Sequence, residues 1–246
     1  MEYIGKKNDL VNDNISLKEF CDLCLDLGDI NSKRDLIQLV PALMALSNND
    51  KILEEFYIEE LKDIHSFKKK QASGIVQTLT LAKLHNCDIR LVLWPHIESY
   101  DPLSSDHRFA YGAAHDHNFN FISVGYSGPG YITEMYEYDR GSLNGVLGES
   151  VNMSHIGDYT LSKGDVMIYE AYKDIHIQRP PMSLSSTINV IPNNGFLDYQ
   201  YFFDLEKKTL ISIIEESSQE AYLRKLIKIV DSQYALNAYN ERFGKA

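Results

Sequence analysis

The chain has 246 residues, of which 44% are hydrophobic and 24% are charged. This composition is typical of a globular protein with a full core, and it excludes disordered, collagenous and fibrous chains. The 24 basic and 35 acidic residues give a formal net charge of −11. Because a negative field repels nucleic-acid phosphates and anionic lipid surfaces, we expect neither nucleic acid nor a membrane as a partner.

Two further features bear on the compartment. No apolar run reaches the ~20 residues that span a bilayer, and the N-terminal sequence lacks the apolar segment of a signal peptide. The three cysteines cannot all pair within the chain, which indicates a reducing compartment. We therefore expect a cytoplasmic protein.

Cys21 and Cys24 form a C-x-x-C motif within an apolar pattern of helical spacing. No second cysteine pair and no neighbouring histidine completes a zinc-binding set. The motif therefore predicts cysteines on a buried helix face, in preference to a redox or metal site.

The N-terminal part of the chain has helical patterns. Ser16 and Glu19 have the spacing of a capping box and predict a helix over 16–28. A second pattern covers 32–46, with Pro41 as an expected kink or break, and a third covers about 50–67. These patterns predict a helical region.

After Gly74 the apolar pattern alternates and predicts short strands. The predicted strands cover 75–84, 89–94, 117–126, 131–138, 153–161, 165–170, 175–178, 184–191 and 198–203. About nine strands at this spacing favour a sandwich or barrel over a parallel α/β sheet. From Leu205 onward the pattern, with Leu210, Ile213, Ile214 and Leu223, is helical again.

These patterns divide one compact unit into three parts. They are an N-terminal helical region at 1–74, a β-barrel at 75–204 and C-terminal helices at 205–246 that pack on the barrel. The helices could also form the interface of a homodimer.

The most informative segment contains His115 and His117. Alternate residues of a strand face the same side, so both imidazoles could bind one metal ion. Phe119 and Phe121 continue that face and predict an apolar wall. A third ligand is expected from His176, which follows the Gly-Asp pair that begins at Gly164.

With an H-x-H pair and a later Gly-Asp segment that ends in a histidine, residues 75–203 resemble the cupin superfamily. The resemblance implies a mainly β fold, a cupin-like double-stranded β-helix barrel with helices at both ends. Most cupins have a glutamate ligand five residues after the second histidine, where this chain has Ile122. The remaining His115, His117 and His176 are similar to the ligands of the three-histidine branch, the cysteine (thiol) dioxygenases.

The three histidine ligands indicate which chemistry a bound metal could support. Three neutral imidazoles leave Fe(II) its full charge and open positions for an anionic substrate and dioxygen. We therefore expect a non-haem iron oxygenase that acts on a small carboxylate-bearing or amino-acid-like molecule. Zn(II) or Mn(II) at the same residues would instead support an isomerase, lyase or hydrolase. A non-enzymatic metabolite-binding module is a further alternative.

Other side chains are candidates for binding and catalysis. Arg90, Arg108 and Arg179 could each bind a substrate carboxylate through the planar guanidinium group. Glu134 could serve as a fourth ligand or a general base, because a carboxylate in an apolar barrel has a raised pKa. Tyr126 could donate a hydrogen bond to a bound oxygen species.

Two alternative ligand sets stay open at this point. His96 and Glu98 form an H-x-E pair that, with a distant histidine, would give a two-histidine, one-carboxylate site. His155 lies on a predicted strand and could take the place of His176.

Overall fold

The computed structural model describes residues 2–4, 13–62, 78–98, 111–193 and 199–215, together with Gln233 and Asn237. Its helices are α1 (Leu17–Asp26), α2 (Lys33–Ser47) and α3 (Ile52–Lys62), followed by a 3-10 turn at Arg140–Ser142. None of the helices within these ranges is long and apolar enough to cross a membrane.

The predicted N-terminal helices are confirmed over the described residues, and positions 63–67 of the third prediction lie outside them. The Ser16 hydroxyl accepts a hydrogen bond from the Glu19 backbone N–H, and the Glu19 carboxylate accepts one from the Ser16 backbone N–H. α2 continues through Pro41, so the expected break does not occur there. Leu36, Leu43 and the other leucines on its buried face pack into the core, which stabilises the helix despite the hydrogen bond lost at proline.

The strands form two six-stranded sheets. They are β1 (Glu2–Ile4), β2 (Thr78–Lys83), β3 (Cys87–Trp94), β4 (Ala114–His115), β5 (Phe121–Ser127), β6 (Ile132–Tyr138), β7 (Met153–Thr160), β8 (Val166–Tyr169), β9 (Asp174–Arg179), β10 (Ser185–Pro192), β11 (Tyr199–Asp204) and β12 (Thr209–Glu215). Sheet A has the order β1-β8-β5-β10-β3-β2, and sheet B has the order β12-β11-β4-β9-β6-β7. Each predicted strand overlaps one of these.

Strands β3 to β10 form nested antiparallel pairs. The innermost pair is β6–β7, and β5–β8, β4–β9 and β3–β10 enclose it in turn. Successive pairs alternate between sheet B and sheet A. Eight strands wound in this way form the double-stranded β-helix of jelly rolls and cupins, so the predicted cupin-like barrel is confirmed.

The helical prediction after Leu205 is wrong over 209–215, which form β12 and pair with β11. The register of this pair shifts at Ile211, which is an extra residue in β12. Because of this bulge, the packed residues Leu210 and Ile213 are three positions apart, a spacing that imitates a helix. Beyond 215, only Gln233 and Asn237 are described, and both are helical.

Alternation along β3 decides which side chains line the barrel. Ile89 and Leu91 pack against the helices on the outer face of sheet A. The residues between them and after them, which include Arg90, Val92 and Trp94, face the interior. A separate apolar cluster that includes Ile175 and Leu210 covers the outer face of sheet B.

The three cysteines connect α1 to the barrel. Cys24 and Cys87 are buried, and their thiols share a hydrogen bond, which together with burial raises the pKa of Cys24. Burial raises the pKa of the half-buried Cys21 to about 11. The Cys21 and Cys24 thiols are therefore protonated near neutral pH, and the predicted buried helix face is confirmed.

Asn86, next to Cys87, fastens the end of α1. Its side-chain amide donates to the carbonyl oxygens of Cys24 at 2.7 Å and Gly28 at 2.6 Å, and the residue is fully buried. We predict that Asn86→Ala lowers the free energy of unfolding by about 1–3 kcal/mol, because buried carbonyls lose their donor. Urea denaturation measures this change.

The matched control is Asn193→Ala. The exposed Asn193 side chain donates to the carbonyl oxygen of Leu84, which lies in the same β2–β3 turn as Asn86. Its removal should lower the free energy of unfolding less than the removal of the Asn86 side chain. Equal effects of the two substitutions would contradict the role given to Asn86.

Candidate metal centre

Three imidazole rings meet inside the barrel. His115 on β4 and His176 on β9 face each other in register, and His117 follows β4 by two residues. Nε2 of His176 lies 3.0 Å from Nε2 of His115 and 2.9 Å from Nε2 of His117. His115 and His176 are buried, and His117 is half-buried.

This arrangement fits one divalent metal ion. Nitrogen ligands about 2.1 Å from a common ion and at right angles to each other are about 3.0 Å apart, which matches both distances. Burial lowers the pKa of all three histidines, so the rings are neutral near pH 7, as metal ligation requires. Nδ1 of His115 donates to the Ala113 carbonyl oxygen at 2.8 Å, which leaves its Nε2 free to bind a metal.

Among the residues that the structure describes, this donor group contains three histidines and no carboxylate. Ile122, at the position where most cupins have a glutamate, packs against the helices on the outer face of sheet A. The inward residue beside it is Phe121, whose ring centroid lies 4.7 Å from that of His117.

The sequence predicted that both histidines of the H-x-H pair lie on one strand, but the structure places only His115 on a strand. β4 ends at His115, and the predicted strand over 117–126 begins only at Phe121. His117 is held by other contacts, since its carbonyl oxygen accepts a hydrogen bond from the Tyr172 backbone N–H at 2.9 Å.

Asp116 anchors the segment between the two histidines. Its completely buried carboxylate accepts hydrogen bonds from the Tyr138 hydroxyl, from Arg140 Nη1 at 2.5 Å and from the Tyr201 backbone N–H at 2.6 Å. Burial raises the pKa of Asp116, and these partners oppose the rise. Because Asp116 is bound on the outer side of sheet B, its neighbours His115 and His117 are directed inward.

Arg140 is itself enclosed. Its guanidinium carbon lies 3.3 Å from the Tyr201 ring centroid and 3.7 Å from that of Tyr172, and Nη2 donates to the Tyr199 carbonyl at 3.2 Å. Sequence analysis missed Asp116 and Arg140 as a pair. The only available signal was the position of Asp116 between two histidines, since its partner lies 24 residues away.

Aromatic rings form the wall beside the histidines, as predicted for Phe119 and Phe121. Their centroids lie 5.0 and 4.7 Å from that of His117, and Phe202 stacks on His115 at 5.4 Å. Tyr169 stacks on Phe121 at 4.3 Å and lies 4.8 Å from His176. These rings give the barrel interior around the histidines a low dielectric constant, which strengthens electrostatic interactions there.

A second tyrosine supports Tyr169. The hydroxyl groups of Tyr131 and Tyr169 are 3.0 Å apart. Burial raises the pKa of Tyr131 to about 12 and that of Tyr169 well above its usual value. Both hydroxyls therefore stay protonated near neutral pH and can donate hydrogen bonds.

The structure does not bring Glu134 or Tyr126 to the histidines. The inward residue of β6 opposite His176 is Met135, so Glu134 faces the outer side of sheet B. There its carboxylate pairs with Arg179 and accepts a hydrogen bond from Tyr136. Tyr126 belongs to the cluster beneath the helices, and its hydroxyl donates to the Asn49 carbonyl at 3.0 Å.

The three arginines that were predicted to bind a substrate carboxylate do not lie together. Arg179 lies on the outer face beside Glu134, and Arg108 lies outside the described residues. Arg90 faces the interior from sheet A, and its guanidinium pairs with Asp88 at 2.8 Å. Its side chain is 34% exposed, so a ligand can reach it.

The alternative ligands lie apart from the three histidines. Nδ1 of His96 lies 2.8 Å from the Pro181 carbonyl oxygen. His155 is exposed and pairs with Asp158 at 2.7 Å. The cluster of His155, Asp158 and Glu134 could also hold an ion, but the Glu134 carboxylate is already paired with Arg179.

No family model matches the sequence, and no curated protein is significantly similar to it. A hydroquinone 1,2-dioxygenase from Sphingomonas sp. TTNP3 is a similar solved structure, with 7% identity, a TM-score of 0.32 and coverage of 52% of this chain and 72% of that chain. A sugar phosphate isomerase of the cupin superfamily from Silicibacter pomeroyi has 11% identity and a TM-score of 0.29, with 57% and 76% of the chains covered.

A DMSP lyase from Ruegeria pomeroyi has 11% identity and a TM-score of 0.27, with coverage of 59% of this chain and 58% of that chain. At these values the likenesses carry no argument about activity. The fold assignment rests on the strand order itself.

We predict that Asp116→Asn weakens Zn(II) binding about tenfold or more, because the segment between the ligands loses its ionic anchor to Arg140. Competition with a chromophoric chelator measures the affinity. The control is Asp50→Asn, which removes the carboxylate of an exposed ion pair with Lys163. Equal Zn(II) affinity of Asp116→Asn and the wild type would contradict the anchoring role.

Proposed function

We propose that the chain is a metal-dependent enzyme of the cupin type, a non-haem Fe(II) oxygenase that acts on a small carboxylate-bearing or amino-acid-like substrate. The observation that carries this proposal is the convergence of three neutral imidazoles, at the buried His115 and His176 and the half-buried His117, with no carboxylate joining the group among the described residues. This donor set is similar to that of the cysteine (thiol) dioxygenases.

The donor set favours a cation with open coordination positions. Bound Fe(II) would supply a site for dioxygen and an anionic substrate, whereas Zn(II) or Mn(II) would act as a Lewis acid. The rings of Phe119, Phe121 and Phe202 reduce the access of bulk water, which strengthens the attraction of an anion to the cation.

The inner face of sheet A carries Arg90, which is a candidate for binding the substrate. Arg90 lies in register with Asn189, which lies in register with Ser123 on the next strand. The Ser123 hydroxyl donates to the Asn189 side-chain oxygen at 2.7 Å, and Asp88 holds the Arg90 guanidinium. A fixed guanidinium group can bind a carboxylate through two parallel hydrogen bonds, so we assign the substrate carboxylate to Arg90.

Tyr169 is a better candidate than Tyr126 for donating a hydrogen bond to a bound oxygen atom. Its ring lies 4.8 Å from that of His176, and its hydroxyl is oriented by Tyr131. A protonated tyrosine hydroxyl can donate to a substrate oxygen without the loss of its proton.

The neutral donor set equally favours a second function. A Zn(II) or Mn(II) enzyme with isomerase, lyase or hydrolase activity would use the same three histidines and would need no dioxygen. For either enzyme we propose a cytoplasmic location, because the three cysteines cannot all pair within the chain, and a homodimer formed through the amphipathic helices.

The test is oxygen uptake by protein that has been loaded anaerobically with Fe(II), in the presence of a panel of amino acids, thiols and small carboxylates. We predict uptake that requires both the metal and one substrate of the panel. We also predict that Arg90→Gln raises KM about 10- to 100-fold, because a hydrogen bond between charged groups contributes about 1.5–3 kcal/mol.

Arg179→Gln is the matched control, since Arg179 lies on the outer face of sheet B, and it should leave KM unchanged. Absence of Fe(II)-dependent uptake with every compound would contradict the oxygenase proposal. Conversion of a substrate by the Zn(II) or Mn(II) protein without oxygen would establish the second function instead.

A further inference from the structure

The side chain of Asn189 faces the barrel interior from β10. Its neighbours Ile188 and Val190 both pack in the cluster beneath the helices, and successive residues of a strand face opposite sides. Asn189 is half-buried, whereas Ser123, which lies opposite it on β5, is 1% exposed. Asn189 therefore has a buried polar neighbour on one side and a surface that a ligand can contact.

One hydrogen bond decides the orientation of the Asn189 amide. The Ser123 hydroxyl donates to Oδ1 of Asn189 at 2.7 Å and has no second acceptor among the described residues. If the amide were turned by about 180°, Nδ2 would donate to the Ser123 oxygen, and the hydroxyl proton would lose its acceptor. Because a buried donor without an acceptor is costly, Ser123 keeps Oδ1 toward β5 and Nδ2 away from it.

The amide nitrogen of Asn189 is available to a ligand. Nδ2 has no acceptor among the described residues, yet it is not one of their completely buried unpaired atoms, so it lies at an accessible surface of the interior. On its other side Asn189 lies in register with Arg90 on β3, whose side chain is 34% exposed. Since the Cβ atoms of residues in register are about 4.5–5.5 Å apart, the amide and the guanidinium group can contact one ligand.

We propose that Nδ2 of Asn189 donates a hydrogen bond to the substrate carboxylate that Arg90 binds. This inference rests on the proposed function, which assigns that carboxylate to Arg90. The two oxygens of a carboxylate have about four lone-pair positions, so they can accept two hydrogen bonds from the guanidinium group and a third from the amide. Ser123 is a positioning residue, because it acts on the substrate only through Asn189.

The two donors also select the chemistry of the bound group. The Asn189 amide nitrogen donates hydrogen bonds and does not accept them, and the same is true of the Arg90 guanidinium group. Both bind anionic oxygen, and neither can bind an ammonium group. An amino-acid-like substrate would therefore turn its carboxylate, and not its ammonium group, toward sheet A.

The first test uses acetate as the probe and the NMR spectrum of Zn(II)-loaded, 15N-labelled protein as the readout. We expect acetate to shift the side-chain resonances of both Arg90 Nε–H and Asn189 Nδ2–H. Methylammonium is the matched cationic probe and should shift neither. Both resonances belong to the wild type, so this readout does not depend on the folding of any variant.

The second test compares acetate affinities, measured from the Arg90 resonance. Asn189→Leu keeps the size of the side chain but donates nothing, and it should bind acetate about tenfold more weakly. Asn189→Asp should bind acetate more weakly still, because its carboxylate repels the anion and pairs with Arg90. The control is Thr187→Val, which removes a hydroxyl from the same face of β10, where it accepts a hydrogen bond from Trp94 at 3.1 Å, and it should bind acetate as the wild type does.

Ser123→Ala tests the positioning role. We expect this variant to bind acetate about two- to fivefold more weakly, because the amide of Asn189 is no longer held in one orientation. In combination with Asn189→Leu it should cause no further loss, since Ser123 acts through the amide. The same loss in both backgrounds would overturn the role of Ser123.

The outcomes separate the two proposals. If acetate shifts the Arg90 resonance but not that of Asn189, or if Asn189→Leu has wild-type affinity, the role of Asn189 is overturned and the assignment of the carboxylate to Arg90 stands. If acetate leaves the Arg90 resonance unchanged, that assignment is overturned, and this inference with it. None of these measurements needs dioxygen, so they do not depend on whether the enzyme is an oxygenase.

Discussion

The site depends on the pairing of β4 with β9. This pair sets His115 directly opposite His176, although the two residues are 61 positions apart in the chain. Residues directly opposite each other in a sheet have Cβ atoms about 4.5–5.5 Å apart, which is close enough for two imidazoles to share one ion. β4 has only two residues, so its position is maintained by β11 on its other side and by the buried Asp116.

The two faces of sheet B have different chemistry. The outer face holds the charged pair of Asp116 and Arg140, which the hydroxyl of Tyr138 and the ring of Tyr201 enclose. The inner face holds neutral imidazoles and aromatic rings. The buried charges thus fix the backbone without adding a carboxylate to the metal ligands. A cation bound to the histidines on the inner face would keep its full charge and attract an anion. Arg90 on sheet A could then bind the carboxylate of that anion.

Local patterns predicted much of the fold. The capping box of Ser16 and Glu19 and the alternation of strands such as β3 depend on neighbouring residues, and both are confirmed. The bulge at Ile211 misled the prediction because one extra residue gave a strand the spacing of a helix. Alternation does not tell which face of β6 lies inward, and only the packing of the sheets showed that Met135, and not the neighbouring Glu134, faces His176.

The three metal ligands were predicted from the sequence, but the residues that hold them in place were not. The motif around His115 and His117 and the segment that ends at His176 carry their own signals. The partners that hold these residues, such as Arg140 for Asp116, are distant in the chain and have no spacing rule.

The central claim is that His115, His117 and His176 bind one divalent metal ion, and the most direct test is elemental analysis. The protein would be purified without chelators or a nickel affinity tag and compared with the His115→Ala/His117→Ala variant. The account predicts about one ion per chain in the wild type, with iron as the expected metal, and its loss in the variant. The absence of metal from both proteins, or an equal content in both, would contradict the claim.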